Sequence, residues 1–166
     1  MKNKITIPVY KPFLPPNVRK YVNDCINSTW ISSKGKYVEK FENKFCDFLN
    51  LPYAASVSNG TVALHVALLS LDIGKGDEVI VPDLTYIASI NSIAYVGAKP
   101  VLVDSQKNTW NIDTDKIEER ITRKTKAIMA VHLFGNPCNM EKLRDICNRN
   151  NLYLIEDAAE AFGSKY

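Results

Sequence analysis

The chain has 166 residues, 46% hydrophobic and 23% charged, a composition that suits one soluble globular domain with a sizeable core and gives no support to disorder. Its 21 basic and 18 acidic residues leave a formal charge of only +3, and the basic ones are scattered rather than gathered into a stripe, which speaks against a nucleic-acid partner. The four cysteines (Cys25, Cys46, Cys138, Cys147) form no C-x-x-C pair, His65 and His132 lie far apart, and no stretch approaches the ~20 apolar residues of a membrane span, so zinc sites, disulfide frameworks and membrane insertion are all unexpected.

Along the chain, MKNKITIPVY carries lysines but no apolar run behind them, so no leader is expected and the protein is placed in the cytoplasm. Residues 1–50 are expected to form an N-terminal helical segment. One helix follows the Pro15-Pro16 pair, and a second begins near Lys36, where Tyr37, Phe41, Phe45 and Phe48 recur at helical spacing and make one apolar stripe for a core or subunit contact. Between them STWISSKG reads as a loop that is either a connector or a cover for a site. From about Tyr53, YAASV, EVIVP, KPVLVD, KAIMAVHLF and LYLIE read as strands. They alternate with helical patterns in GTVALHVALLSL, TYIASINSIAYV, DTDKIEERI and NMEKLRDICNRNN. Such alternation describes linked βαβ units, hence an α/β fold: a three-layer sandwich around a mostly parallel sheet.

In an open parallel sheet, ligands bind beyond the carboxyl ends of the strands, so the strand-to-helix junctions carry the functional reading. At VSNGTVAL, Ser58 and Asn59 can cap a helix, Gly60 lets the backbone come close to a ligand, and Thr61 opens a helix whose free N–H groups suit a phosphate; an ordinary helix cap explains the same residues. At VPDLTYIAS, Thr85 and Tyr86 reach a strand tip, where an aromatic face either covers a flat ring or simply packs. His132, at the end of the KAIMAVHLF strand, is a candidate base or a satisfied core histidine, and Gly135, Pro137 and Asn139 read as turn and cap residues. LYLIEDAAEAFGSKY runs a buried strand into Glu156 and Asp157. A carboxylate at an apolar strand tip needs a cationic or hydrogen-bonding partner. A protonated pyridine nitrogen would serve Asp157, unless that residue merely caps a helix after the strand; Glu160, three residues on, faces the same side if the segment turns helically.

The motifs WISSKGKYVEKFE, SNGTVALHVAL, GDEVIVPDLTYIAS, GAKPVLVD, KTKAIMAVHLFG and IEDAAEAFGSKY follow one another in an order that resembles the sugar aminotransferases of the DegT/DnrJ/StrS type, pyridoxal phosphate enzymes of the aspartate aminotransferase fold. The resemblance implies that the backbone at Gly60 and the Thr61 side chain hold the cofactor phosphate, that Tyr86 stacks on the pyridine ring, and that Asp157 pairs with its nitrogen. Glu160 stands where many relatives carry glutamine or histidine near the ring hydroxyl. Trp30 and Ser33 are implied as substrate contacts. The complete enzyme would use a nucleotide sugar and glutamate and work as a homodimer, with no metal, nucleic-acid or membrane partner.

Family members carry the Schiff-base lysine in a segment after the aspartate, and no lysine up to Lys165 stands in that motif. No catalytic residue is therefore expected within residues 1–166, and pyridoxal 5'-phosphate should bind this stretch alone weakly or not at all. Residues 51–166 would be the first part of an incomplete cofactor-binding large domain, the remainder and the small domain lying elsewhere. A shortened, non-catalytic relative that binds a partner chain or a phosphorylated ligand is the alternative. A nicotinamide-dependent oxidoreductase is disfavoured because no G-x-G-x-x-G fingerprint occurs.

Overall fold

The computed structural model describes residues 11–166, so the start of the expected 1–50 helical segment lies outside the described residues. The chain divides into two units, one ending at Ser56 and the other spanning Val57–Tyr166.

In the first unit, α1 (Val18–Asn27) follows the two prolines, and α2 (Lys36–Leu49) begins where the aromatic stripe begins. Asp24 ties the helices together. Its Oδ2 accepts the Tyr37 hydroxyl at 2.9 Å and lies 2.5 Å from Lys36 Nζ. Asn50 ends α2 in the left-handed region (φ 52°), a conformation that asparagine tolerates better than most residues, and the Leu51 N–H returns to the Cys46 carbonyl. Beyond it, Glu42 accepts both the N–H and the hydroxyl of Ser56 at 2.8 Å. The stripe lies along α2, with the Phe41 and Phe45 rings 5.7 Å apart, while Phe41 and Phe48 stay exposed.

The second unit is the α/β sandwich. Its helices are α3 (Gly60–Ser70), α4 (Ile87–Tyr95) and α5 (Met140–Asn150); its strands are β1 (Glu78–Pro82), β2 (Lys99–Val103), β3 (Thr125–Val131) and β4 (Tyr153–Asp157). The sheet order is β2-β1-β3-β4 and every pair is parallel. Side chains alternate between its faces, as the period of a strand requires. Val79, Val81, Ala127, Met129 and Ile155 pack with Leu64 and Leu68 of α3 and Ile93 of α4. Ile80, Ile128 and Ala130 pack on the opposite side with Leu143 and Ile146 of α5. Helices on both faces bury the central strands, which is why EVIVP and KAIMAV read as near-continuous apolar runs. Among the described residues no helix is long and apolar enough to cross a membrane.

Two expected elements differ. YAASV (53–57) is not a strand: its apolar composition suits one, but no ladder partner runs beside it among the described residues. DTDKIEERI forms two short 3-10 turns, Thr114–Lys116 and Glu118–Arg120, instead of an α-helix. The Asp113 carboxylate accepts the Asp115 N–H and starts a tight turn, after which the buried Ile117 anchors the segment to the core.

At the amino end of the sheet Glu78 is buried, accepting the Thr122 hydroxyl at 2.6 Å and Lys99 Nζ at 3.2 Å. The Thr122 bond, with Lys99 behind it, holds this carboxyl below its ordinary value of 4.5. A depressed folded-state value stabilises the fold above the unfolded value and loses that contribution as the pH falls through the folded one. Glu78→Gln should therefore melt about 2–4 °C below the parent at pH 7, and the gap should close as the pH is lowered below 4.5. Thermal melts across pH check this; a gap that persists at acid pH contradicts it.

Candidate functional site

The chain leaves β1, lays down β2 on one side, and returns to lay down β3 on the other. Strand order thus reverses around β1, and a crevice opens beyond the carboxyl ends there. A cavity of about 350 Å³ occupies this end of the second unit. The start of α3, the residues following β1 and β3, and the tip of β4 all line it. Gly60, Thr61, Tyr86, Asp157 and Glu160 are all among the lining residues, although up to a hundred positions separate them in sequence.

Each reaches the cavity for a local reason. Asn59, extended, caps α3: its Oδ1 accepts the Val62 N–H at 3.0 Å and its carbonyl the Ala63 N–H. The N–H groups of Gly60 and Thr61 are left without an acceptor among the described residues, at the positive end of an 11-residue helix. A Cβ built on Gly60 would meet nothing within 4 Å, so the space in front of this terminus is open. Tyr86 precedes the first residue of α4 and is 76% exposed, so its ring contributes little to the core.

Asp157 ends β4. Its Oδ2 accepts the Ser89 hydroxyl at 2.8 Å and its Oδ1 the Ala159 N–H at 3.2 Å. Turns rather than a helix come after it, so helix capping is not its role. Those turns still bring Glu160 to the cavity, where its Oε2 accepts the Phe134 N–H at 2.6 Å. Phe134 sits at φ 54° in a short turn after β3. Asn111 fixes that turn from below, its amide accepting the Leu133 N–H and donating to the Asn136 carbonyl.

Glu156, the other carboxylate of the pair, lies 3.1 Å from His132 Nε2, and this hydrogen bond holds it below the usual carboxylate range. His132 is buried. The Cys138 side chain and the Glu156 carboxylate pull its ring toward protonation, while the Cys138 N–H, 3.1 Å from Nδ1, needs a lone pair there. The bond at Nδ1 decides, because an imidazolium would set two N–H groups against each other; the neutral ring carries its proton on Nε2 and donates it to Glu156. His132 is thus a satisfied histidine in the cavity wall.

Trp30 and Ser33 belong to the first unit. Trp30 lines a cavity of about 530 Å³ there, with Ile31, Lys34 and Tyr37, and Ser33 is exposed in the same loop. Neither is among the residues that the second unit's cavity brings together. Sequence reasoning missed Ser89 and Asn111, two buried polar residues that act on the site from behind it. Neither lies at a strand tip, and the only signal was a polar residue in an otherwise apolar pattern.

A family model described as the DegT/DnrJ/EryC1/StrS aminotransferase family matches residues 15–166. GDP-perosamine synthase from Escherichia coli O157:H7 is 60% identical over 160 residues, covering 96% of this chain and 44% of the relative. The X-ray structure of an aminotransferase from Psychrobacter cryohalolentis aligns with a TM-score of 0.89 at 41% identity, covering 93% of this chain and 40% of that one. NtdA from Bacillus subtilis, solved with bound cofactor PMP, aligns with a TM-score of 0.85 at 37% identity, covering 98% and 39%. The chain spans less than half the length of the relatives it matches.

Proposed function

Because this chain belongs to the DegT/DnrJ/EryC1/StrS aminotransferase family, we propose that it forms the N-terminal part of a pyridoxal phosphate-dependent nucleotide-sugar aminotransferase and contributes half of the cofactor site. The observation that carries this reading is the gathering of Gly60, Thr61, Tyr86, Asp157 and Glu160 around one cavity at the sheet's reversal point.

The residues fit the group. The two free N–H groups and the hydroxyl at the start of α3 suit a phosphate, with open space in front of Gly60 to receive it. The exposed Tyr86 ring suits the face of a pyridine. Asp157, a proton acceptor at the end of an apolar strand, suits a protonated ring nitrogen, and Glu160 lies where it can meet a neighbouring ring substituent. When bound, the cofactor supplies the electron sink on which amino-group transfer depends. The chain's own share is to seat the phosphate, cover one ring face and keep the proton on the ring nitrogen. The lysine that moves protons in this family is proposed to come from sequence after residue 166.

The identity with GDP-perosamine synthase supports a finer reading, and Glu160 in place of glutamine or histidine agrees with it. Glutamate donates its amino group, and GDP-4-keto-6-deoxymannose accepts it at C4, the step that makes perosamine for surface polysaccharide. Trp30 and Ser33 are proposed to contact the nucleotide sugar, and the complete enzyme to be a homodimer.

The test uses the whole polypeptide that contains this segment, supplied with pyridoxal phosphate, glutamate and GDP-4-keto-6-deoxymannose. Mass spectrometry should find the 4-amino sugar nucleotide and 2-oxoglutarate in equal amounts. Residues 1–166 alone should give no product, and no saturable cofactor binding at concentrations that saturate the whole polypeptide. Absence of amino sugar from every 4-keto nucleotide sugar offered to the whole polypeptide would sink the proposal.

A further inference from the structure

The Asp157 carboxylate is braced from behind. Ser89, on the first turn of α4 and wholly buried, donates its hydroxyl to Asp157 Oδ2 at 2.8 Å across 68 positions of sequence. Thr85 Oγ1 lies 2.9 Å from Ser89 Oγ. The direction of these bonds follows from counting protons. A carboxylate has none to give, so the single Ser89 hydrogen goes to Asp157; the Thr85 hydroxyl, 3.3 Å from the Tyr86 carbonyl and 2.9 Å from Ser89 Oγ, gives its hydrogen to the nearer Ser89 oxygen. The relay therefore runs Thr85 to Ser89 to Asp157.

This is not the usual outlet for a serine in a helix. Ser70 and Ser92 each donate to the carbonyl three residues back in their own helices, at 2.7 and 2.8 Å. The Ser92 bond ends on the Ser89 carbonyl and so secures the turn from which Ser89 reaches out. Ser89 crosses to another element instead. With 0% exposure it cannot touch a ligand in the cavity; what it touches is the residue that does.

We propose that Ser89, with Thr85 behind it, is a positioning residue that aims the Asp157 carboxylate at the cofactor's ring nitrogen; this rests on the reading that Asp157 meets that nitrogen. A carboxylate at a strand tip has two side-chain torsions to settle. Bonds from Ser89 to one oxygen and from the Ala159 N–H to the other fix both torsions while the residue still lines the cavity. Without Ser89, Asp157 samples orientations that do not meet the ring, and the charge-assisted bond is lost in part.

The test compares two probes on the apo form of the whole polypeptide: pyridoxal phosphate, and 1-deazapyridoxal phosphate, in which carbon replaces the ring nitrogen. The readout is the ratio of the two dissociation constants, which general destabilisation does not move. The parent should prefer pyridoxal phosphate. Ser89→Ala should cut that preference about tenfold, as expected for weakening one charge-assisted hydrogen bond, with deaza affinity unchanged. If Ser89→Ala does not fold, Thr85→Val, which keeps the side chain's shape and removes the hydroxyl that meets Ser89 and the Tyr86 carbonyl, should cut the preference about threefold on the same reasoning. A folded variant that keeps the parent's full preference overturns the role of Ser89 while the Asp157 reading stands. A parent that binds both probes equally, or neither, overturns the Asp157 reading and this proposal with it.

Discussion

Replacing Asp157 with asparagine in the whole polypeptide is expected to cut the rate of amino-group transfer by about 10²–10³-fold, corresponding to the ~3–4 kcal/mol lost when a desolvated charge loses its ionic partner. Asparagine keeps the shape and one oxygen, which can accept the Ser89 hydroxyl in exchange for the longer bond from the Ala159 N–H, so the cavity should survive the change. What disappears is the negative charge that, in the proposed site, keeps a proton on the ring nitrogen. Single-turnover measurement of the half-reaction with glutamate reads the rate, and a pyridoxal phosphate titration reads the accompanying loss of affinity. An Asp157→Asn enzyme with parental rate and affinity would remove Asp157 from the site altogether.

The largest expected effect on stability lies elsewhere in the same unit. Ile128 is fully buried in the middle of β3, between β1 and β4, and packs in the layer that contains Ile80, Leu143 and Ile146. Truncation to alanine there should cost ~2–5 kcal/mol, because the sheet and α5 hold their spacing and the removed methyl groups leave a cavity. Lys126, two positions earlier, is exposed, and its replacement by alanine should stay within about 0.5 kcal/mol. Urea unfolding of the three proteins gives the comparison, provided the slope of the transition is unchanged. Equal midpoints for Ile128→Ala and Lys126→Ala would mean that this layer does not carry the fold.

Much of the architecture was legible because hydrophobic periodicity is a local property. EVIVP and KAIMAV are apolar on both faces, which only a strand covered on both sides tolerates, and this was enough to imply a parallel sheet between helices. YAASV misled because composition reports whether a segment can be a strand and says nothing about whether a neighbour is there to pair with it. DTDKIEERI misled in the opposite way. Its charge pattern suits a helix, but one aspartate hydrogen bond redirects the backbone at the first turn.

The cavity's front was legible and its back was not. Asp157 stood out because an ionised group at the tip of an apolar strand demands a partner. Gly60 and Thr61 stood out because they sit at a helix start. Ser89 carries no such signal: a serine in a helix ordinarily satisfies itself locally, and only the fold brings it to a carboxylate 68 positions away. The pairing of Glu156 with His132 was hidden for the same reason, since it depends on β3 and β4 lying side by side. Glu160 faces the side of Asp157 if the segment turns helically; it reaches the cavity on turns, held by the N–H of a residue at positive φ that no sequence pattern announces.

Glu160 also belongs to neither apolar layer of the sandwich. Among the described residues its side chain bonds to a backbone N–H, which a glutamine oxygen could also accept. Selection can therefore change this residue without first finding a compensating change in the core, and a descendant with altered chemistry at that corner would fold as its parent does. The separation between a close-packed interior and a lightly tethered side chain at the rim lets one scaffold diversify by single substitutions, with the lining of the cavity and foldability inherited independently.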